Sequence, residues 1–208
     1  MKSLLLSLIC TFFSLSAVAQ EKIELFKPNL ERGVPVMKAL SLRASATKYN
    51  QQKLSISDLS DLCWAANGIN RPESGKRTAP SAINAQDVDV YVAMEQGIYL
   101  YDPKDNVLLL KASGDHRKLL AGRQLSVSEA PVIVLLVSDI SRFRMGEESL
   151  RMEWAAMDAA IVSQNISIFC AGTGLVTRCR AFMEKEQLKK LLNLSDSHKL
   201  MLNHPVSY

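Results

Sequence analysis

Residues 88–110 read VDVYVAMEQGIYLYDPKDNVLLL, and the fold class turns on them. Val88, Val90 and Val92 alternate with Asp89, Tyr91 and Ala93, the two-residue period of a strand. Glu95-Gln96-Gly97 supplies a turn, and Ile98-Tyr99-Leu100-Tyr101 runs back. A second turn over 103–106 leads into Val107-Leu108-Leu109-Leu110. The pattern predicts an antiparallel meander of three strands.

Working outward, Pro131 opens VIVLLVS, a continuous apolar run suited to a central strand covered on both faces. Residues 199–203 read as a short last strand. A helix is expected from Val34 through Met37, Leu40 and Leu42. A second takes Ser57 as N-cap, Asp58 in its first turn and Gly68 at its end, with Leu59, Leu62, Cys63 and Ala66 on one buried face. A short helix is expected over 115–124 and a charged amphipathic one over 184–193. The longest helical pattern, 147–170, carries Leu150, Trp154, Met157 and Ile161 on one stripe, with Ala155, Ala156, Ala159 and Ala160 permitting close approach. Asp158, Gln164 and Asn165 argue against a membrane span there and for a core helix. Gly172-Thr173-Gly174 ends it. The sum is an α+β domain, a mainly antiparallel sheet surrounded by helices.

The chain has 208 residues and is 48% hydrophobic, enough for one sizeable core. Residues 1–19 have the form of a signal peptide: Lys2, an apolar run, then Ala17-Val18-Ala19 as a cleavage signal. Ile9 is too large to precede a lipidated Cys10. Residues 20–33 form an N-terminal arm and 34–208 the domain, so the expectation is an exported, periplasmic protein of a bacterial-type cell with no stable membrane span after cleavage. The net charge is +4, or +3 without Lys2, spread along the chain with no polybasic run. That pattern points away from nucleic acid. Of the remaining cysteines, Cys170 and Cys179 can be read as a disulfide or as buried thiols; Cys63 leaves the count odd. Neither they nor His116, His198 and His204 have metal-site spacing.

Between the second helix and the meander lies RTAPSAINAQ, 77–86. Pro80 sets its own φ and lacks an N–H. Ala79, Ser81 and Ala82 are small enough for a ligand to approach the backbone. Ser81, Asn84 and Gln86 each donate and accept, with Gln86 on the same side as Asn84 if the segment is extended. Arg77 suits a phosphate or carboxylate. The chemistry allows two readings: a polar pocket wall, or a connector whose amides cap its neighbours.

The ordered set LRASATKY (42–49), LCWAANGI (62–69), RTAPSAINAQ (77–86), VDVYV (88–92), GIYLYDP (97–103), GDHRKL (114–119) and CAGTG (170–174) resembles the FMN-dependent nitroreductase family. The likeness is nearest the flavoprotein dehydrogenases of thiazole and oxazole peptide biosynthesis, and it spans nearly all the chain after residue 19. It implies a homodimer with FMN at the subunit interface. NADH or NADPH would reduce the flavin, which would then reduce a small-molecule electron acceptor. The family motif that grips the phosphate and ribityl chain falls on Arg43, Ala44 and Ser45. The Pro-Ser-x-x-Asn-x-Gln motif, which lines the flavin from the partner subunit, falls on Pro80, Ser81, Ala82, Asn84 and Gln86. Gly172, Thr173 and Gly174 fall where a backbone N–H nears the flavin's reactive nitrogen.

Two departures accompany the likeness. Ala44 and Thr47 stand where the family has arginines, and no Arg or Lys follows Lys199. A charge-assisted hydrogen bond contributes roughly 1.5–3 kcal/mol, so these losses call for compensation, with His116, Arg117, Lys118 and Arg123 as candidates. The expected function is an exported FMN-dependent oxidoreductase of nitroreductase type, acting on nitro, quinone or similar acceptors. The alternative is a non-enzymatic exported binding or scaffold protein of the same fold. No protein residue is nominated as a catalytic acid or base, since the reactive atom would belong to the cofactor.

Overall fold

A computed structural model describes residues 21–208; the signal-peptide reading of 1–19 lies outside them. In chain order the elements are β1 (Lys22–Glu24), α1 (Val36–Leu42), α2 (Ile56–Asn67), β2 (Ile69–Arg71), β3 (Lys76–Arg77), β4 (Val88–Met94), β5 (Gly97–Asp102), β6 (Val107–Ser113), α3 (Arg117–Ala121), β7 (Val132–Asp139), α4 (Glu148–Thr173), β8 (Val176–Thr177), α5 (Lys185–Leu191) and β9 (His198–Ser207). Seven strands form one antiparallel sheet in the order β1-β6-β5-β4-β7-β9-β8. The meander is β4-β5-β6, with Tyr91 opposite Leu100 and Tyr99 opposite Leu110. β2 and β3 make a separate small ribbon.

The continuous apolar run of β7 follows from cover on both faces. Val132, Val134 and Leu136 pack into one core with α2 and α4, while Ile133, Leu135 and Val137 pack into another with α3 and α5. Burying each such side chain contributes about 1.5–3 kcal/mol. Residues of the N-terminal arm are tied to α2: Phe26 N–H donates to Ser60 Oγ, Asn29 N–H to Asp61, and Arg32 pairs with Asp58 and Asp61. No helix among the described residues is long and apolar enough to cross a membrane.

Four local expectations are corrected. The N-cap of α2 is Ser55, whose Oγ accepts from Asp58 N–H at 3.0 Å, so the helix starts before Ser57. The helix expected over 115–124 shrinks to α3, ended by Gly122 at φ 57° and followed by a 3-10 turn at Leu125–Glu129. The short last strand is instead the ten-residue β9, interior to the sheet; its polar and proline residues Asn203, His204 and Pro205 masked a buried strand. On α4 the buried face is Ala155, Asp158, Ala159, Val162, Ser163, Ile166 and Cys170. Of the expected stripe, Leu150 and Met157 are exposed, Met157 at 59%, while Trp154 and Ile161 are half-buried. Ala155 and Ala159 let the helix lie close to the sheet beside Val162 and Ile166, while Ala156 and Ala160 are exposed.

Candidate functional site

After α1 the chain runs beside the sheet edge. Ala46 N–H donates to Thr177 C=O at 2.9 Å, and Ser45 bridges Thr177 in parallel. This registers Arg43, Ala44 and Ser45 against Thr177, Arg178 and Cys179, with Ser163, Gln164 and Ser167 of α4 as the floor. They enclose a groove of about 290 Å³ with two guanidinium groups, several hydroxyls and no acidic side chain in its lining. Arg178 Nε is buried without a hydrogen-bond partner among the described residues, its Nη2 reaches Gln124 Oε1 only at 3.4 Å, and Tyr49 lies beside the guanidinium. Such an orphaned guanidinium donor suits an incoming anion.

Arg178 was not singled out by the sequence reading, although it stands four residues past the glycines in the run TRCR. The compensating residues that were named do not line the groove. His116 Nε2 sits 2.8 Å from Ser113 C=O, Arg117 is held by Asp115 and Ala130 C=O, and Arg123 lies over the Phe182 ring. Lys118 is on α3, also away from it.

Behind the groove wall a buried histidine orders the hydroxyls. Thr177 O–H donates to Pro205 C=O at 2.9 Å, which leaves its oxygen to accept from His204 Nδ1–H at 3.3 Å. His204 Nε2 then faces Ser163 Oγ at 2.7 Å, and Cys179 Sγ lies 3.2 Å from the same oxygen. Burial pushes His204 down to about 4, so it is neutral at pH 7 and holds this tautomer.

The 77–86 loop is elsewhere in the same chain, against the N-terminal half of α4. It is not extended: a 3-10 turn covers Ala82–Asn84, and Ile83, Asn84 and Gln86 have φ of 48°, 55° and 49°. Left-handed non-glycine residues cost about 1–3 kcal/mol each. The surroundings hold them there. Ala82 N–H donates to both oxygens of Asp158 at 3.1 and 2.9 Å, and Gln86 N–H to Ser81 Oγ at 2.8 Å. Arg77 donates to Gln86 Oε1 and Asn67 C=O, and Arg142 to Gln86 C=O. Ser81 and Gln86 thus spend polar atoms inside the loop, while Pro80 and Asn84 are exposed.

Under the loop, Asp87 is fully buried. Its Oδ2 accepts from Ser138 O–H, its Oδ1 has no hydrogen-bond partner among the described residues, and Asp158 is its carboxyl neighbour. Burial first, and Asp158 beside it, push Asp87 up to about 7 against the hydrogen bond from Ser138. The sequence reading used Asp158 only as evidence against a membrane span and passed over Asp87 and Ser138. No local pattern marks two carboxyls 71 positions apart as neighbours.

Gly172, Thr173 and Gly174 lie at the C-terminus of α4, outside the groove lining. Gly172 C=O accepts from Val34 N–H at 3.0 Å, and a Cβ there would meet Ala39 Cβ at 3.3 Å, so the glycine lets α1 pack close. Gly174 is the left-handed cap, at φ 79°. The three residue groups of the sequence reading are therefore not gathered into one cavity within a single chain. Among the described residues no three His, Cys, Asp or Glu side chains converge to hold a metal ion.

Fold and groove together define an α+β protein with a basic, hydroxyl-lined groove at a sheet edge. Residues 40–208 match the nitroreductase family, and the chain belongs to it. A candidate nitroreductase from Ralstonia eutropha JMP134 is 34% identical, covering 91% of this chain and 90% of its own, with a TM-score of 0.85. Two more distant structures share the fold. A candidate NADH oxidase from Clostridium acetobutylicum is 20% identical over 84% of this chain and 87% of its own, with a TM-score of 0.56. A chain of the E. coli microcin synthetase McbBCD complex with truncated pro-MccB17 bound is 17% identical, covering all of this chain and 84% of its own, with a TM-score of 0.69. No curated protein matches the chain.

Proposed function

We propose that the chain is an FMN-dependent oxidoreductase of nitroreductase type, passing electrons from NADH or NADPH to a nitro, quinone or similar small acceptor. The observation that carries this is the acid-free groove with Arg43 and Arg178, where Arg178 Nε is buried and has no hydrogen-bond partner among the described residues. A phosphate would supply the missing acceptor, and Ser45, Ser163 and Ser167 offer hydroxyls to a polyol chain. FMN, when bound, supplies the hydride chemistry. The protein's part is to bind and orient it. Arg178 takes the place of the arginines that Ala44 and Thr47 lack.

In this reading a second copy completes the site by bringing its 80–86 loop, with exposed Asn84, toward the groove. Support comes from apolar side chains left open within one chain: Val36 at 61%, Met37 at 74% and Met157 at 59% exposure. Residues 1–19 direct export, to a periplasm in a bacterial-type cell.

The test is an absorption spectrum of the purified mature protein, before and after FMN addition and gel filtration. A retained flavin band is expected. Arg43→Ala and Arg178→Ala should each weaken FMN binding about tenfold or more, the equivalent of a lost charge-assisted hydrogen bond. NADH oxidation with a quinone then checks turnover. The second reading, a non-enzymatic binding or scaffold protein, is favoured by Ala44 and Thr47 alone. Absence of any band at high FMN would establish it over the first.

A further inference from the structure

Asp87, at the entry to β4, and Asp158, on α4, meet beneath the 81–86 loop around a cavity of about 10 Å³ that Pro80 and Ser81 also line. We propose that the two carboxyl groups share one proton, and that this proton latches the 81–86 loop onto α4 so that the loop loosens when the proton is lost. The consequence for FMN rests on the function proposed above; the latch itself does not.

The proton resolves an orphan. Placed on Asp87 Oδ1, it turns a buried oxygen without a partner into a donor toward Asp158. Asp158 in turn accepts Ala82 N–H with both oxygens. Without the proton, two buried anions face each other. Among the described residues the nearest cations are already paired, and Arg142, which feels Asp87 from a distance, offsets them only in part. Arg142, from the turn after β7, is committed to Asp89, Asp139 and Gln86 C=O. Arg77 is spent on Gln86 and Asn67 C=O. From α2, Asn67 donates its amide to Val88 C=O, and from β7 only Ser138 donates to Asp87. The loop also has a reason to leave, since Ile83, Asn84 and Gln86 are held at positive φ.

The sign follows from linkage. Asp87 in the closed loop holds a proton that an open, solvated carboxyl releases above about pH 4. The latch is complete below that pH. It weakens as pH rises to about 7, the folded value for Asp87, and stays constant above it. The opening equilibrium should therefore rise by up to about tenfold per pH unit and then level off.

The experiment is hydrogen–deuterium exchange of residues 81–86 in the mature protein without FMN, from about pH 5 to about pH 8.5, corrected for intrinsic exchange. Wild type should show that rise and plateau. Asp87→Asn keeps an N–H donor toward Asp158 and carries no charge, so its corrected exchange should be flat. Ser138→Ala removes a bond to the carboxylate form and should move the plateau upward by about one pH unit. A wild type with no residual pH slope overturns the latch, as does Asp87→Asn with the wild-type slope. So does Ser138→Ala with an unmoved plateau, which decides the matter if Asp87→Asn does not fold. FMN titration of the same samples separates the two ideas: no FMN binding with a pH-dependent loop sinks the flavin reading alone, and FMN binding with a pH-independent loop sinks the latch alone.

Discussion

Three cysteines with the same chemistry have different surroundings. Cys63 and Cys170 are buried, and burial raises both thiols far above their ordinary range. Cys179 is exposed in the groove beside Arg178, and all three are free, so the Cys170–Cys179 disulfide considered from the sequence is absent from the fold. Titration of the native mature protein with a thiol reagent should modify one cysteine per chain quickly and the other two only on unfolding. Saturating FMN should slow the fast one; equal reactivity of all three would contradict the packing. A motif made Arg43 and Ser45 stand out as candidates, and both line the groove. No motif did so for Arg178, Asp87 or Ser138, whose roles come from neighbours far away in the chain.

At the scale of elements, periodicity revealed that α4 has an apolar stripe but not which way it points. A stripe of Leu150, Trp154, Met157 and Ile161 reads as core; in the fold Leu150 and Met157 are exposed, and the buried face runs through Ala155, Ala159, Val162 and Ile166, where the two alanines allow close approach. The start of α2 shows another junction that local patterns miss. Asp58 receives hydrogen bonds from Ser55, from Arg32 of the arm and from Tyr208, the last residue. Burial opposes its ionisation, yet these three partners bring it down to about 2. Its folded value is depressed, so its contribution is present above the unfolded value near pH 4 and is lost as pH falls from there to about 2. Asp58→Asn should remove about 2 kcal/mol at neutral pH and much less at about pH 2, measured by urea denaturation at both. An equal loss at both would assign the effect to packing alone.

For the whole molecule, the face formed by α1 and the outer side of α4 is too apolar to stand alone comfortably in water. Met37→Asp combined with Met157→Asp should convert a dimer to a monomer in sedimentation velocity and abolish FMN retention together. A stable monomer that keeps FMN would show that one chain suffices. By itself, the sequence determined the antiparallel meander, the doubly covered β7 and the family. Those signals are local: alternation, an apolar run, residues in fixed order. Only the tertiary structure decided that β9 is interior, that α4 buries the face through Ala155 and Ala159, that Arg178 joins Arg43, and that Asp87 meets Asp158. Each depends on which distant surfaces exclude water together, and a buried charge acquires its chemistry from the neighbours that replace water around it.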